Sequence, residues 1–292
     1  MQEARPQHVI KKQTWTEDEL AQVSELLDIC NAYEDLSTKL SLVMLRMRSG
    51  NESNDFLYYA DDKLVGLLSL ANYGTIDREV TGMVHPAYRR HGIFTALLAV
   101  AKIEARVRGI SRFVLVCERF SRSGQAFIES IDAEYDFSEY RMVLDSLGEK
   151  GPCRQQLHVR KAGAGDVDAI ALITALCFGQ SEQGARKNTL ESMCNPYSQY
   201  YVGVLGNEVI GCLDLFDHGN EFAIYAFGIH PQYRRRGFGR QMLEQLICSI
   251  RRESQKPIAL EVEINNVPAI HLYRSCGFTQ TTIYGYYNLD IM

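Results

Sequence analysis

Apolar and polar positions change period repeatedly along this chain, and the changes mark out its elements. In the second half, Leu157 to Lys161 alternates and predicts a strand, and Asp166 to Cys177 has helical spacing with Asp166 as its N-cap. Tyr200 to Val204 and Glu208 to Phe216 read as strands around a turn at Leu205 to Asn207, and Phe222 to Ile229 is a further apolar strand. Gly237 to Arg252 then places Met242, Leu243, Leu246, Ile247 and Ile250 on one helix face. Ile258 to Ile264 predicts a strand, Val267 to Ser275 a short helix, and Phe278 to Leu289 a last, aromatic-rich strand. Such an order is α/β with a mixed sheet. The first half follows the same order from Phe56 onward, and Thr16 to Cys30 predicts a helix with no clear strand before it.

This parallel is an internal repeat. V-H-P-A-Y-R-R-H-G-I-F (Val84 to Phe94) recurs as I-H-P-Q-Y-R-R-R-G-F-G (Ile229 to Gly239), so that His85 and His230 stand 145 positions apart. The same offset pairs D-K-L-V-G-L-L-S-L (Asp62 to Leu70) with N-E-V-I-G-C-L-D-L (Asn207 to Leu215), and Leu115 with Leu260. Two long repeats indicate duplicated domains, whereas a solenoid needs many short units. A Gly/Pro and charged stretch, Leu147 to Arg154, reads as the linker, giving expected domains 1–148 and 155–292.

Composition narrows the function classes. A chain of 292 residues, 46% hydrophobic and 23% charged, is long for one compact domain and is globular in character. Its net charge of -5 gives no general affinity for nucleic acid or anionic membrane. Eight cysteines are scattered without a C-x-x-C pair, which disfavours zinc and disulfides and points to a reducing compartment. The polar start, Met1 to Thr14, does not read as a signal peptide, and no run approaches the ~20 apolar residues of a membrane span. The expected setting is therefore cytoplasmic, with no metal, nucleic acid or membrane partner, and a monomer or weak homodimer.

The sharpest chemical signal is the strand, turn and helix from Ala226 to Leu246. Arg234-Arg235-Arg236-Gly237-Phe238-Gly239-Arg240 opens a helix directly after a strand ending in Ile229-His230-Pro231. Glycines there let helix N-terminal N–H groups approach an anion, and the arginines add charge, which together describe a pyrophosphate cradle. A tight turn with solvated arginines is the plainer alternative.

R-x-x-G-x-G after a strand resembles the acetyl-CoA motif of the GCN5-related N-acetyltransferases. L-E-V-E-I-N-N-V-P-A-I-H-L-Y-R-S-C-G-F (Leu260 to Phe278) resembles the family's N-x-x-A-x-x-L-Y-x-x-x-G-F segment, with Asn266, Ala269, Tyr273, Gly277 and Phe278 in register. The resemblance covers nearly all of 157–292 and, more loosely, 55–145. It implies two tandem acyl-CoA N-acyltransferase domains with acetyl-CoA as co-substrate and an amine of a small molecule or peptide as acceptor. It also implies that the backbone of Phe227, Gly228 and Ile229 meets the pantetheine arm, that Tyr273 is the acid toward the departing thiolate, and that Asn266 bonds the cofactor arm or caps its helix. L-E-V resembles the corresponding strand of ribosomal-protein N-terminal acetyltransferases, which implies a base role for Glu261; Glu263, two along on the same face, or water stays open. The tandem architecture is similar to that of mycothiol synthase.

The first repeat reads as a degenerate copy. Gly237 corresponds to Gly92, but Gly239 to Phe94, Tyr273 to Ile128, Glu261 to Val116, Asn266 to Ser121 and Gly277 to Asp132. Catalysis is therefore expected in the second domain. A CoA-binding regulatory protein without turnover is the competing class.

Overall fold

The computed structural model describes residues 8–72, 77–145 and 157–291. The expected linker, Leu147 to Arg154, lies outside the described residues. The chain forms two compact units, residues 1–139 with 282–292, and residues 140–281. The units and the sequence repeats are thus different partitions of the same chain.

In the first unit, β1 (Val9–Lys12), β2 (Asp55–Ala60), β3 (Lys63–Ala71) and β4 (Arg78–Val84) pair antiparallel in that order. β5 (Arg112–Glu118) joins β4 in parallel. α1 (Glu17–Glu34) and α2 (Leu42–Arg46) precede β2, α3 (Ile93–Val107) links β4 to β5, and α4 (Arg122–Glu129) follows β5. Thr16 starts α1 through a capping box: its hydroxyl accepts from Glu19 N, and the Glu19 carboxylate accepts from Thr16 N. α1 therefore runs beyond the expected Cys30, and β1 is a strand that no sequence signal announced. Phe56, Leu68, Leu97 and Phe113 centre the main core, while α1 buries Leu20, Val23 and Leu26 on the other sheet face, against Leu57 and Leu67.

The second unit repeats this order. β7 (His158–Lys161), β8 (Ser198–Leu205), β9 (Glu208–Asp217) and β10 (Phe222–Ile229) pair antiparallel, and β11 (Ile258–Glu263) runs parallel to β10. α5 (Val167–Phe178) and α6 (Glu182–Met193) cover one sheet face, with Ile170 and Ile173 against Val202 and Cys212. α7 (Phe238–Glu253) and α8 (Val267–Ser275) cover the other, and the five apolar α7 positions expected from the periodicity are all buried. Asp166 stands at the N-cap position of α5, as expected, but its side chain makes no cap bond there. Its carboxylate turns back to Gly163 N (2.8 Å) and a bidentate pair with Arg160 (2.8 Å), a stronger charge-assisted arrangement than one cap bond.

β6 (Glu134–Leu144) and β12 (Phe278–Asp290) explain why the first unit is not contiguous. Tyr284 to Asp290 pairs antiparallel with β5 and buries Tyr287, Leu289 and Ile291 in the first unit's core. In the second unit the strand beside β11 is the end of β6, whose Met142 and Leu144 join that core. Each unit is completed by the last strand of the other repeat.

Candidate active site

β10 carries the irregularity on which the site is built. Tyr225 pairs with Asp214 and Gly228 with Cys212, so the intervening residues bulge, and Ala226 takes a positive φ of 48°. On the other edge, parallel pairing to β11 ends at Ile224↔Leu260. The two strands part there, and Phe227, Gly228 and Ile229 lie beyond the last pair with backbone facing the gap.

The turn after β10 is fastened internally. His230 Nδ1 accepts from Gln232 N (3.4 Å), a turn role. Arg234 donates from Nε to Ile229 O (2.9 Å) and from its terminal nitrogen to Cys177 Sγ (3.0 Å), so this arginine secures the turn. Arg235 has φ 61° and Gly237 has φ 80°, which points the chain into α7 from a left-handed cap. The first-turn N–H groups of α7 have no intrahelical acceptor. Arg235 and Arg236 are exposed beside them, Arg236 lying over the rings of Tyr233 and Phe238 (5.6 and 5.4 Å). Arg240 pairs with Glu244 (2.8 Å) and donates to Ser275 O (3.1 Å). A Cβ on Gly239 would stand 3.1 Å from Leu272 and 3.7 Å from the Phe227 ring. Gly239 thus lets α7 pack closely on Leu272 and Phe227, while a Cβ on Gly237 would meet nothing within 4 Å; the free N–H donors and arginine charges at this helix start fit a pyrophosphate.

Tyr273 sits on α8 between Phe227 and Phe278, ring centroids 6.2 and 6.1 Å away. Burial, with Cys276 nearby, pushes its phenol well above the usual tyrosine range, so it stays protonated. Among the described residues no group hydrogen-bonds its hydroxyl, so its proton is not committed to a partner within the fold. Asn266 caps α8 through Oδ1 to Ala269 N (3.3 Å), the local role that its alternative reading gave it.

Strand alternation separates the remaining groups by face. Ile224, Leu260 and Val262 pack with α7 and α8, so Tyr225 and Glu261 project from the opposite face as the first residues beyond the last pair. Glu263 shares that face but is exposed, within 3.4 Å of Asn265. His218, in the turn between β9 and β10, meets the Tyr225 hydroxyl through Nε2 (3.0 Å) and packs on Phe216 (4.6 Å). Desolvation lowers its pKa below 6.5, opposed by Glu221, Glu261 and Asp217 and reinforced by Arg141. His218 and Tyr225 carried no sequence signal: one is a lone histidine in a polar turn, the other one aromatic among many.

The first unit builds the same frame differently. β4 and β5 also part after three parallel pairs, the last being Val80↔Leu115, and Arg89 fastens its turn to Val84 O (3.0 Å). Here, though, Glu34 at the end of α1 reaches Ser121 Oγ (3.1 Å), Ser123 N (3.3 Å) and Ser123 Oγ (3.0 Å) at the start of α4, and pairs with Arg89 (3.2 Å). Ser37 N bonds Glu118 (2.7 Å) at the end of β5, and Lys39 pairs with Glu79 on β4 (3.6 Å). The segment after α1 thus bridges the parted strands. Phe94 lies against Gly82, whose Cβ would stand 2.6 Å from its ring, and packs on Phe127 (4.7 Å).

The family model described as acetyltransferase (GNAT) family matches residues 20–130 and again 168–278. The chain is 38% identical over 64 residues to the [ribosomal protein bS18]-alanine N-acetyltransferase of Escherichia coli K12, a match covering 22% of this chain and 43% of that protein. It is 25% identical to the mycothiol acetyltransferase of Clavibacter michiganensis over 72% of this chain and 71% of the relative. Among solved structures, a GCN5-related N-acetyltransferase from Sphaerobacter thermophilus aligns with TM-score 0.79 and 17% identity, covering 99% of this chain and 97% of that one. A tandem GNAT protein from the clavulanic acid biosynthesis pathway aligns with TM-score 0.74 and 15% identity, covering 97% and 98%.

Proposed function

The chain belongs to the acetyltransferase (GNAT) family, and from that premise we propose that its second repeat moves an acetyl group from acetyl-CoA to a primary amine by direct attack. One observation carries the reading. The parted strands β10 and β11 have a buried, protonated tyrosine on one face and a carboxylate on the other. Acetyl-CoA supplies the activated carbonyl and a thiolate leaving group. The α7 start, with Arg235, Arg236, Gly237 and Gly239, holds its pyrophosphate, and the gap beside Phe227 to Ile229 takes the pantetheine arm. Glu261 draws in the ammonium and helps remove its proton, while Tyr273 gives a proton to the departing sulfur. Acid and base thus act from opposite sheet faces and do not neutralise each other.

The acceptor is a primary amine of a peptide or small molecule, in line with relatives named for the alanine of a ribosomal protein and for mycothiol. The net charge of -5 favours a cationic acceptor and no nucleic acid. Among the described residues no helix is long and apolar enough to cross a membrane, in keeping with the proposed cytoplasmic setting. The test is thiol release from acetyl-CoA with an alanine-initiated peptide and with glucosamine, wild type against Tyr273→Phe. Turnover that the variant loses by on the order of 10²-fold supports the assignment. Equal rates would remove Tyr273 as the acid, and CoA binding without turnover would favour a regulatory protein.

A further inference from the structure

We propose that the proton taken from the acceptor amine ends on His218, delivered through the hydroxyl of Tyr225, so that these two residues form a relay beside Glu261. The proposal rests on the acetyl-transfer reading and deepens it by naming where the proton goes.

Geometry carries the argument. Tyr225 and Glu261 are the first residues past the last β10–β11 pair and share the face opposite Tyr273, so both border the mouth of the gap. His218 Nε2 stands 3.0 Å from the Tyr225 hydroxyl. Phe216 packs against His218 (4.6 Å), and the His218 backbone N–H is fixed to Glu221 O (2.9 Å), so the imidazole is held in place. The charged groups around it are Glu261 on β11, Glu221 ion-paired with Arg141, and Asp217 ion-paired with Lys256 (2.9 Å). Glu221 and Asp217 each have a cationic partner within the unit, and desolvation is the dominant influence, favouring neutral His218. Carboxylates as a class are weaker bases than imidazole, so a neutral histidine is the better final sink for an ammonium proton.

The step balances. With His218 protonated at Nδ1 and the Glu261 carboxylate holding the ammonium in place by its charge, Tyr225 donates its hydroxyl proton to Nε2 as the ammonium gives a proton to the Tyr225 oxygen, leaving imidazolium and free amine. The C–N bond forms as the C–S bond breaks. Tyr273 protonates the thiolate and recovers a proton from the amide nitrogen, and His218 releases one to solvent. Tyr225 touches substrate and is catalytic in this account, whereas His218 acts through it.

Two readouts test the relay. The first is NMR titration of His218 in the ligand-free protein, in wild type and Tyr225→Phe, with an expected midpoint below 6.5 in wild type that rises in the variant, because the lost hydroxyl favoured neutral imidazole. The second is the pH profile of kcat with the alanine-initiated peptide or glucosamine, whichever turns over. Its acid limb should follow the wild-type midpoint, and His218→Gln, which keeps an acceptor for Tyr225, should lose that limb with on the order of 10²-fold of kcat at pH 7 and an unchanged KM for acetyl-CoA. Tyr225→Phe should match it, and the double variant should add little. A His218→Gln enzyme with wild-type kcat and acid limb overturns the relay and leaves acetyl transfer standing. No turnover by wild type with either probe overturns both, and the titration then reports only a structural contact.

Discussion

The two units offer one backbone design in two forms, the first of them bridged across its parted strands by its own side chains. Both part their parallel strands after three pairs, both tie the following turn with an arginine to the last strand carbonyl, and both start the next helix from a left-handed glycine, Gly92 or Gly237. They differ in what occupies the gap. In the second unit a phenylalanine on the strand, Phe227, faces a glycine on the helix, Gly239; in the first the ring comes from the helix, Phe94, and the glycine from the strand, Gly82. The same volume is filled from opposite sides, and only in the first unit do Glu34 and Ser37 bridge the parted strands. On the proposed reading the two units thus differ in more than the acid and base side chains, since in the first the chain's own polar groups bond one another across the gap.

The largest expected effect comes from ending the chain at Thr281. That removes the strand paired with β5 and the buried side chains of Tyr287, Leu289 and Ile291, together with Tyr284 and Tyr286. At about 2 kcal/mol per buried large side chain the loss is on the order of 10 kcal/mol, as large as the whole stability of a typical domain. We expect the first unit to lose protection in hydrogen exchange; a truncated chain with native protection there would break the strand-exchange account. Next, Tyr273→Phe should lower kcat on the order of 10²-fold, while Ile128→Tyr in the first unit adds no turnover.

Smaller effects sharpen the contrast between the two units. Glu34→Ala leaves Arg89 and the Ser123 N–H without their carboxylate and should cost about 2 kcal/mol. A fall in Tm of roughly 4–8 °C with acetyl transfer unchanged is the expected result, read by calorimetry and thiol release. Gly239→Phe transplants the first unit's arrangement and should weaken acetyl-CoA binding about tenfold, ~1.4 kcal/mol, with some fall in Tm because Leu272 and Phe227 must move. The reverse change, Phe94→Gly, should not create binding, because Glu34 still bridges the gap.

Much of the second unit was legible in the sequence for physical reasons. β10, α7 and α8 combine clean apolar periodicity with a glycine or cap at their starts, and the repeat offset aligned them with their counterparts. α6 was not legible: E-Q-G-A-R-K-N-T-L-E-S-M buries only Ala185 and Thr189, so it has no apolar face to read. The strand exchange was hidden because β6 and β12 occupy the same place in the two repeats, and their patterns suit either partner. The site divided in the same way. Tyr273, Glu261 and the glycines stood in recognisable spacing, whereas Glu34, His218 and Tyr225 gain meaning only from contacts between residues distant in sequence or across a turn. Arg234 shows the opposite error of emphasis, since a cation in a basic run proved to be the fastener of its own turn.

The most direct test of a binding second unit and a bridged first one is titration of the intact chain with acetyl-CoA by calorimetry, wild type against Gly239→Phe. The account predicts one molecule bound per chain, with affinity reduced about tenfold by the substitution. Two molecules per chain, or one whose affinity ignores Gly239→Phe, would contradict it.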